Sequence, residues 1–184
     1  PVGIVGASGS GAQEVACIIE RLGLGVSSII GTGGHDLLPE IGGITMHAGM
    51  RRLDDDPDTK VIVLVSKLAN LDVMAKILGA ADRLSKPVVA IFLGADEKLF
   101  EGHRVYGTYS LEEAAVKAVE LCTGKTPSVG FTAEEIAEIV KEKVAALRPE
   151  QKYVRGLFSG GTFTEEGMIY YTQHNKGVKL HSNL

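Results

Sequence analysis

Tryptophan is absent and aromatic residues make up only 5% of the 184-residue chain, so a surface that stacks nucleic-acid bases is not expected. An excess of positive charge is missing as well. The formal net charge of -4 gives no general attraction to nucleic acid or to an anionic membrane. Cysteine is scarce: Cys17 and Cys122 stand far apart, each within an apolar helical pattern, with no CxxC and no clustered Cys/His spacing. That excludes a disulfide frame and a thiolate metal site, and reads as two buried, reduced thiols in a cytoplasmic protein. Long hydrophobic runs are also lacking. The apolar stretches are strand-sized, too short to cross a membrane as a helix, and no signal-peptide pattern is recognised. The chain opens on Pro1 and enters a strand at once, which reads as a fragment or a processed piece of a longer protein.

What is present is a regular alternation. Residues 2–5 form a short apolar run, and residues 13–22 carry Val15, Ile18, Ile19 and Leu22 on one helical face. A second strand at 26–30 is closed by Gly31-Thr32-Gly33-Gly34. A helix at 45–53 ends in Asp54-Asp55-Asp56-Pro57. Residues 60–65 form a β-branched run suited to a strand buried on both faces. A helix at 71–84, a buried strand at 87–93 and a weaker one at 104–108 come next, and Ser110 caps a helix at 111–122. Strands alternating with helices imply right-handed crossovers and a parallel sheet covered on both sides. The order predicts an α/β, flavodoxin-like three-layer sandwich with a five-stranded parallel sheet over residues 1–125. Ligands of such sheets bind beyond the carboxyl ends of the strands.

Residues 126–149 read as a connector helix, with a Thr132/Glu135 capping box and an apolar stripe of Ile136, Ile139, Val140, Val144 and Leu147. Residues 150–184 read as a C-terminal βα appendage: a strand at 153–158, a turn at 159–162, a helix at 165–171 and a loose tail at 174–184. Gly161-Thr162-Phe163-Thr164-Glu165-Glu166 lines up with Gly9-Ser10-Gly11-Ala12-Gln13-Glu14. The appendage is therefore either a convergent βα unit or the start of a second domain. One such unit cannot bury its own faces. It is expected to dock on another subunit or on the connector, which implies a homo-oligomer or a larger complex.

Two glycine turns carry the functional possibilities. Gly6-Ala7-Ser8-Gly9-Ser10-Gly11 has the outer glycines of a P-loop, but Ala12 and Gln13 stand where Lys and Ser/Thr are needed. Its order is also not GxGxxG, and no acidic residue ends the second strand, so a nicotinamide cofactor is not expected. What remains is a helix N-terminus with free N–H groups and hydroxyls at Ser8, Gly9, Ser10 and Gly11, able to hold an anion. The same glycines could equally serve close strand–helix packing alone. Gly33 and Gly34 either allow a second close approach to a ligand, which His35 or Asp36 could orient, or form a loop that requires positive φ with a solvated polar end. Gly160, Gly161 and Thr162 form a possible second anion site. His103 and Lys67 read as loop and strand-end residues, and Asp54 to Asp56 as a helix-ending turn and not a metal site.

Together GIVGASGSGAQEVACII, GVSSIIGTGGHDL, DPDTKVIVLVSK and KPVVAIFLG resemble the ligase domain of the succinyl-CoA synthetase α subunit. They resemble FdrA-type acyl-CoA synthetases more closely still, in order and spacing over residues 1–123. RGLFSGGTFTEEG is similar to the opening of the next FdrA domain, which is related to the synthetase β subunit. The resemblance implies that Ser8, Gly9 and Ser10 match the turn that helps hold a phosphorylated histidine, and that Gly33 and Gly34 match the double glycine after the second strand. Lys67 replaces the family's supporting glutamate. The histidine loop is shortened to residues 94–102, and His103 leads straight into a strand, departures that weigh against phosphohistidine chemistry. The CoA-binding domain of the synthetases is expected outside this chain, with CoA or ATP reaching the site only through other domains or subunits. The resemblance thus implies an acid–thiol ligase-like component taking a small acyl-phosphate, phosphate or carboxylate substrate. It also implies a part in an oxamate carbamoyltransferase of allantoin and purine breakdown. A non-catalytic assembly domain is the reading from a different class.

Overall fold

The computed structural model of the chain describes residues 1–175 and 177–183. It divides into two compact units, one made of Pro1–Pro127 with Phe158–Leu184 and the other of Ser128–Leu157.

In the larger unit five parallel strands run in the order β2-β1-β3-β4-β5, namely β1 (Val2–Gly6), β2 (Val26–Gly31), β3 (Val61–Lys67), β4 (Val88–Leu93) and β5 (Tyr106–Thr108). This is the flavodoxin-like order, with its switch point between β1 and β3. Gly6 is in register with Gly31 on one side and with Val65 on the other, so the turns after β1, β2 and β3 leave from one edge.

Apart from Lys67 at the end of β3, the middle strands are buried because helices cover both faces. Val61, Val63 and Val65 face one way, against Val15 and Ile19 of α1 (Gly9–Arg21) and Ala114 and Ala118 of α4 (Leu111–Thr123). Ile62 and Leu64 face the other way. They meet Met46, Met50 and Leu53 of α2 (Ile44–Asp55), and Met74, Ile77 and Leu78 of α3 (Leu71–Ala81). Burial of this kind stabilises by ~25 cal/mol per Å² of apolar surface removed from water. It dominates the packing of the unit. No helix among the described residues is long and apolar enough to cross a membrane.

Several expectations are corrected. Residues 153–158 form no strand: Leu157 is 99% exposed and no ladder partner is present among the described residues. The β-prone composition there finds no ladder partner among the described residues, and the appendage is built on a helix alone. That helix, α6 (Gly161–His174), starts four residues before the expected position. It also takes His174 from the segment read as a loose tail; residues 176 and 184 of that segment lie outside the described residues. Cys17 is exposed and Cys122 half-buried, not two buried thiols. Burial pushes the Cys122 thiol up from its ordinary value.

The smaller unit contains α5 (Ala133–Ala145), which starts at the expected reciprocal capping box of Thr132 and Glu135. Its stripe of Ile136, Ile139, Val140, Val144 and Leu147 is exposed.

Candidate anion site

β1 ends at Gly6, and the chain turns into α1 through Ala7 and Ser8. The Val65 carbonyl of β3 accepts the Ala7 N–H at 2.9 Å and the Ser8 N–H at 3.4 Å. Ser8 is extended and caps the helix, its Oγ accepting the Gly11 N–H at 3.3 Å. The first N–H groups of a helix, here those of Gly9 and Ser10, have no acceptor within it.

The structure brings a second helix start to this place. Thr162, on the first turn of α6, lies with its Oγ1 2.7 Å from Ser8 Oγ and accepts a hydrogen bond from Ser10 Oγ at 2.9 Å. Ser8 and Thr162 are 5% and 4% exposed. Glycines make the approach possible. A Cβ on Gly11 would stand 2.7 Å from Ser8 Oγ and 3.2 Å from Thr162 Cγ2, and one on Gly160 would stand 2.8 Å from Ser10 Oγ. Gly9 differs, since nothing beyond its chain neighbours and its own helix backbone lies within 4 Å of its would-be Cβ, and its φ is not positive. The two turns expected as separate anion sites, Ser8 to Gly11 and Gly160 to Thr162, are one place.

Two carboxylates pin α6 to the sheet edge. Glu165 Oε2 lies 2.6 Å from Lys67 Nζ at the end of β3, and Glu166 Oε1 accepts the Leu111 N–H at 3.0 Å where α4 begins. Phe163 and Ile169 pack against the core beneath. These contacts were not read from the sequence. The only signal for them was the match of residues 161–166 with 9–14, which hinted at a shared geometry and not at contact.

Gly33 and Gly34 are on the same edge, since the Thr32 N–H donates to the Gly6 carbonyl at 2.9 Å. Gly33 has a φ of 78°, a conformation that favours glycine. Among the described residues neither glycine shares a hydrogen bond with Ser8, Ser10 or Thr162. Asp36 is a helix cap, accepting the Thr45 and Met46 N–H groups, each at 2.8 Å, where α2 begins. Both its carboxylate oxygens are thus engaged in capping, not free to orient a ligand. His35 is exposed. The Asp54 to Asp56 turn is structural as read: Asp54 accepts from the Ser85 and Lys86 backbone, and Asp56 from the Asp58 N–H and the Thr59 hydroxyl.

His103 precedes β5, so in an all-parallel sheet it stands at the amino edge, away from the glycine turns. Its Nδ1 lies 2.6 Å from Asp82 Oδ2, and the Arg104 N–H donates to the other carboxylate oxygen. Burial acts against the charge, but these hydrogen bonds win and hold the Asp82 carboxyl below its ordinary value. A depressed carboxyl contributes stability above its unfolded pKa, and that contribution is lost as pH falls through the folded one. His103→Ala is therefore expected to cost up to about 1 kcal/mol at neutral pH, since the pair is partly exposed. The cost should shrink only as pH falls through the depressed Asp82 value, below the ordinary carboxylate range. Urea melts of both proteins at pH 7 and at a series of lower pH values check this.

The CoA binding domain family model matches residues 1–94. The expectation of that domain outside this chain is thereby corrected. The chain is 41% identical over 168 residues to the uncharacterized protein YahF of Escherichia coli, covering 91% of this chain and 32% of that protein. It is 33% identical over 148 residues to succinate–CoA ligase [ADP-forming] subunit alpha 2 of Archaeoglobus fulgidus, covering 77% of this chain and 48% of that subunit. It thus spans 32% and 48% of the length of these two relatives. The solved structure of Treponema denticola PurE is similar with a TM-score of 0.48 at 15% identity, over 79% of this chain and 89% of that one. With half its residues under that family model, this chain is a member of the CoA binding domain family, homologous to the alpha subunit of succinate–CoA ligase.

Proposed function

We propose that this domain binds a small phosphate-bearing anion where the first turns of α1 and α6 converge, as part of an acid–thiol ligase-like protein of the FdrA type. The observation that carries the reading is the bridge of Thr162 to both Ser8 and Ser10. Through it, two helices meet at the same end. Each start carries roughly half a positive charge from its aligned peptide dipoles. Facing them is unfavourable, and an anion between them turns the repulsion into attraction. Gly9 adds support, because neither packing nor backbone conformation accounts for a glycine there, whereas access of an anion to the peptide N–H groups does.

Coenzyme A is the group that the family implies. The β1 turn does not fit it with α6 docked: Thr162 and Ser8 are buried against each other, and a Cβ on Gly160 would already meet Ser10. The donors there suit a phosphate-sized anion.

Thermal unfolding in rising concentrations of inorganic phosphate tests the proposal. A ligand at 100 times its Kd should add about 2.7 kcal/mol, and Thr162→Val, which keeps the shape and removes the hydroxyl, should lose most of that gain. A wild-type protein indifferent to phosphate would leave the glycine turns as packing devices in an assembly domain.

A further inference from the structure

The stripe of α5 lacks a cover. Ile136, Ile139, Val140, Val144 and Leu147 are between 40% and 59% exposed, and no residue of the helix is buried. Steps of four, four and three residues from Ile136 through Val140 and Val144 to Leu147 keep these side chains on one face. A helix of 13 residues is marginal by itself in water, and most helical stability in proteins comes from packing an amphipathic face. The capping box of Thr132 and Glu135 sets where α5 starts but hides none of its apolar surface. Among the described residues the smaller unit holds no other helix or strand. A matching face has to come from elsewhere.

The charges along α5 select that face. Its first half carries Glu134, Glu135 and Glu138 and no base. Its second half carries Lys141 and Lys143 against Glu142, and Arg148 follows shortly after the helix ends. Acid at the start and base at the end suit the helix dipole, and they also make the helix complementary to itself when reversed. Two copies running in the same direction would set glutamates against glutamates. Turned end for end, with Ile136 of one copy against Leu147 of the other, the acidic half of each lies along the basic half of its mate, and Glu134 comes close to the level of Arg148. That is the isologous contact of a two-fold dimer. The charges are available for it. Glu134 and Arg148 enter no ion pair among the described residues. The pairs within α5, Glu138 with Lys141 at 3.7 Å and Glu142 with Lys143 at 2.9 Å, are open to water and weak.

We propose that the α5 stripe is the surface through which this chain pairs with itself, covered by α5 of a second copy running antiparallel. Anion binding plays no part in this pairing. A helix of this length spans only about 20 Å, so the dimer is expected to be weak, with a Kd of about 1–100 μM.

Sedimentation equilibrium of the full chain, from well below to well above that Kd, should show a monomer–dimer equilibrium. Val140→Glu should weaken it ~10-fold or more, since a charge would be buried in the seam, and should leave the melting of the larger unit unchanged. Two charge variants need no change in the stripe: one carries Glu134→Lys with Glu138→Lys, the other Lys141→Glu with Lys143→Glu. Each alone should associate more weakly than wild type, and an equimolar mixture should recover dimers. Direction is read by Ala133→Cys in a Cys17→Ser, Cys122→Ser background. Antiparallel copies hold their residues 133 about 20 Å or more apart, so oxidation should give no disulfide-linked dimer. A wild type that stays monomeric, a dimer indifferent to Val140→Glu, a mixture that recovers nothing or a ready 133–133 crosslink each overturns the proposal. A monomeric wild type whose larger unit melts earlier with Val140→Glu would put the stripe against its own chain instead. Should Val140→Glu not fold, the charge variants and their mixture decide.

Discussion

Gly11→Ala is expected to lose the response to phosphate and to destabilise the larger unit by about 1–3 kcal/mol, the usual range for an inserted methyl in a filled space. The methyl would stand 2.7 Å from Ser8 Oγ, 3.0 Å from Val65 Cγ1 and 3.2 Å from Thr162 Cγ2. Three elements meet at that point: the cap of α1, the end of β3 and the first turn of α6. None of the three is a loose side-chain end. Val65 is fully buried in a central strand, and Ser8 and Thr162 hold each other. Relief has to come from α6 moving away, which breaks the Thr162 bridge. Chemical denaturation and phosphate titration of the same sample read both effects. Gly9→Ala is the control. Its Cβ meets nothing within 4 Å, so stability should hold within about 0.5 kcal/mol, as for other substitutions away from packed features.

The contrast between those two glycines shows what was legible in the sequence and what was not. The order of strands and helices was readable because burial on both faces leaves a continuous apolar run, as in Val61 to Val65, and burial on one face leaves a helical period, as in Val15, Ile18 and Ile19. Both are local signatures. The turn after β1 was readable as a turn, but whether Gly9 and Gly11 served packing or a ligand was not. That distinction depends on Thr162, 151 positions beyond Gly11. Nothing near residue 11 records its presence.

The same reason accounts for the misplaced ends. α1 begins at Gly9 and not Gln13, because Ser8 supplies a cap and the first turn is braced against β3 and α6. Tertiary contact outweighs the poor helix propensity of glycine there. Conversely, Tyr153 to Phe158 has strand-like composition and no strand, since β-structure needs a partner that composition cannot supply. Lys67 and Glu165 are 98 positions apart and meet at 2.6 Å. Sequence placed the lysine at the carboxyl edge of the sheet, and its partner became visible only with the fold.

Phe92→Ala should have the largest effect on stability and the least on the site, which makes it the counterpart of Gly11→Ala. Phe92 is on β4, 1% exposed, with its ring stacked on Phe100 at 5.9 Å between centroids. Phe100 in turn covers Gly107 of β5, where a Cβ would meet its ring at 2.5 Å. Removing the Phe92 ring takes away buried apolar surface and leaves a cavity that stacked neighbours cannot close without shifting β5, for an expected loss of about 3–5 kcal/mol. That side chain lies with α2 and α3, on the opposite face of the sheet from α1 and α4. The carboxyl-edge turns should keep their geometry wherever the protein remains folded. At low temperature, then, Phe92→Ala should bind phosphate with wild-type affinity despite a much lower denaturation midpoint, whereas Gly11→Ala should bind poorly despite the smaller stability loss. If phosphate affinity instead followed stability across the two variants, the site would be a property of overall rigidity and not of the junction between two helix starts.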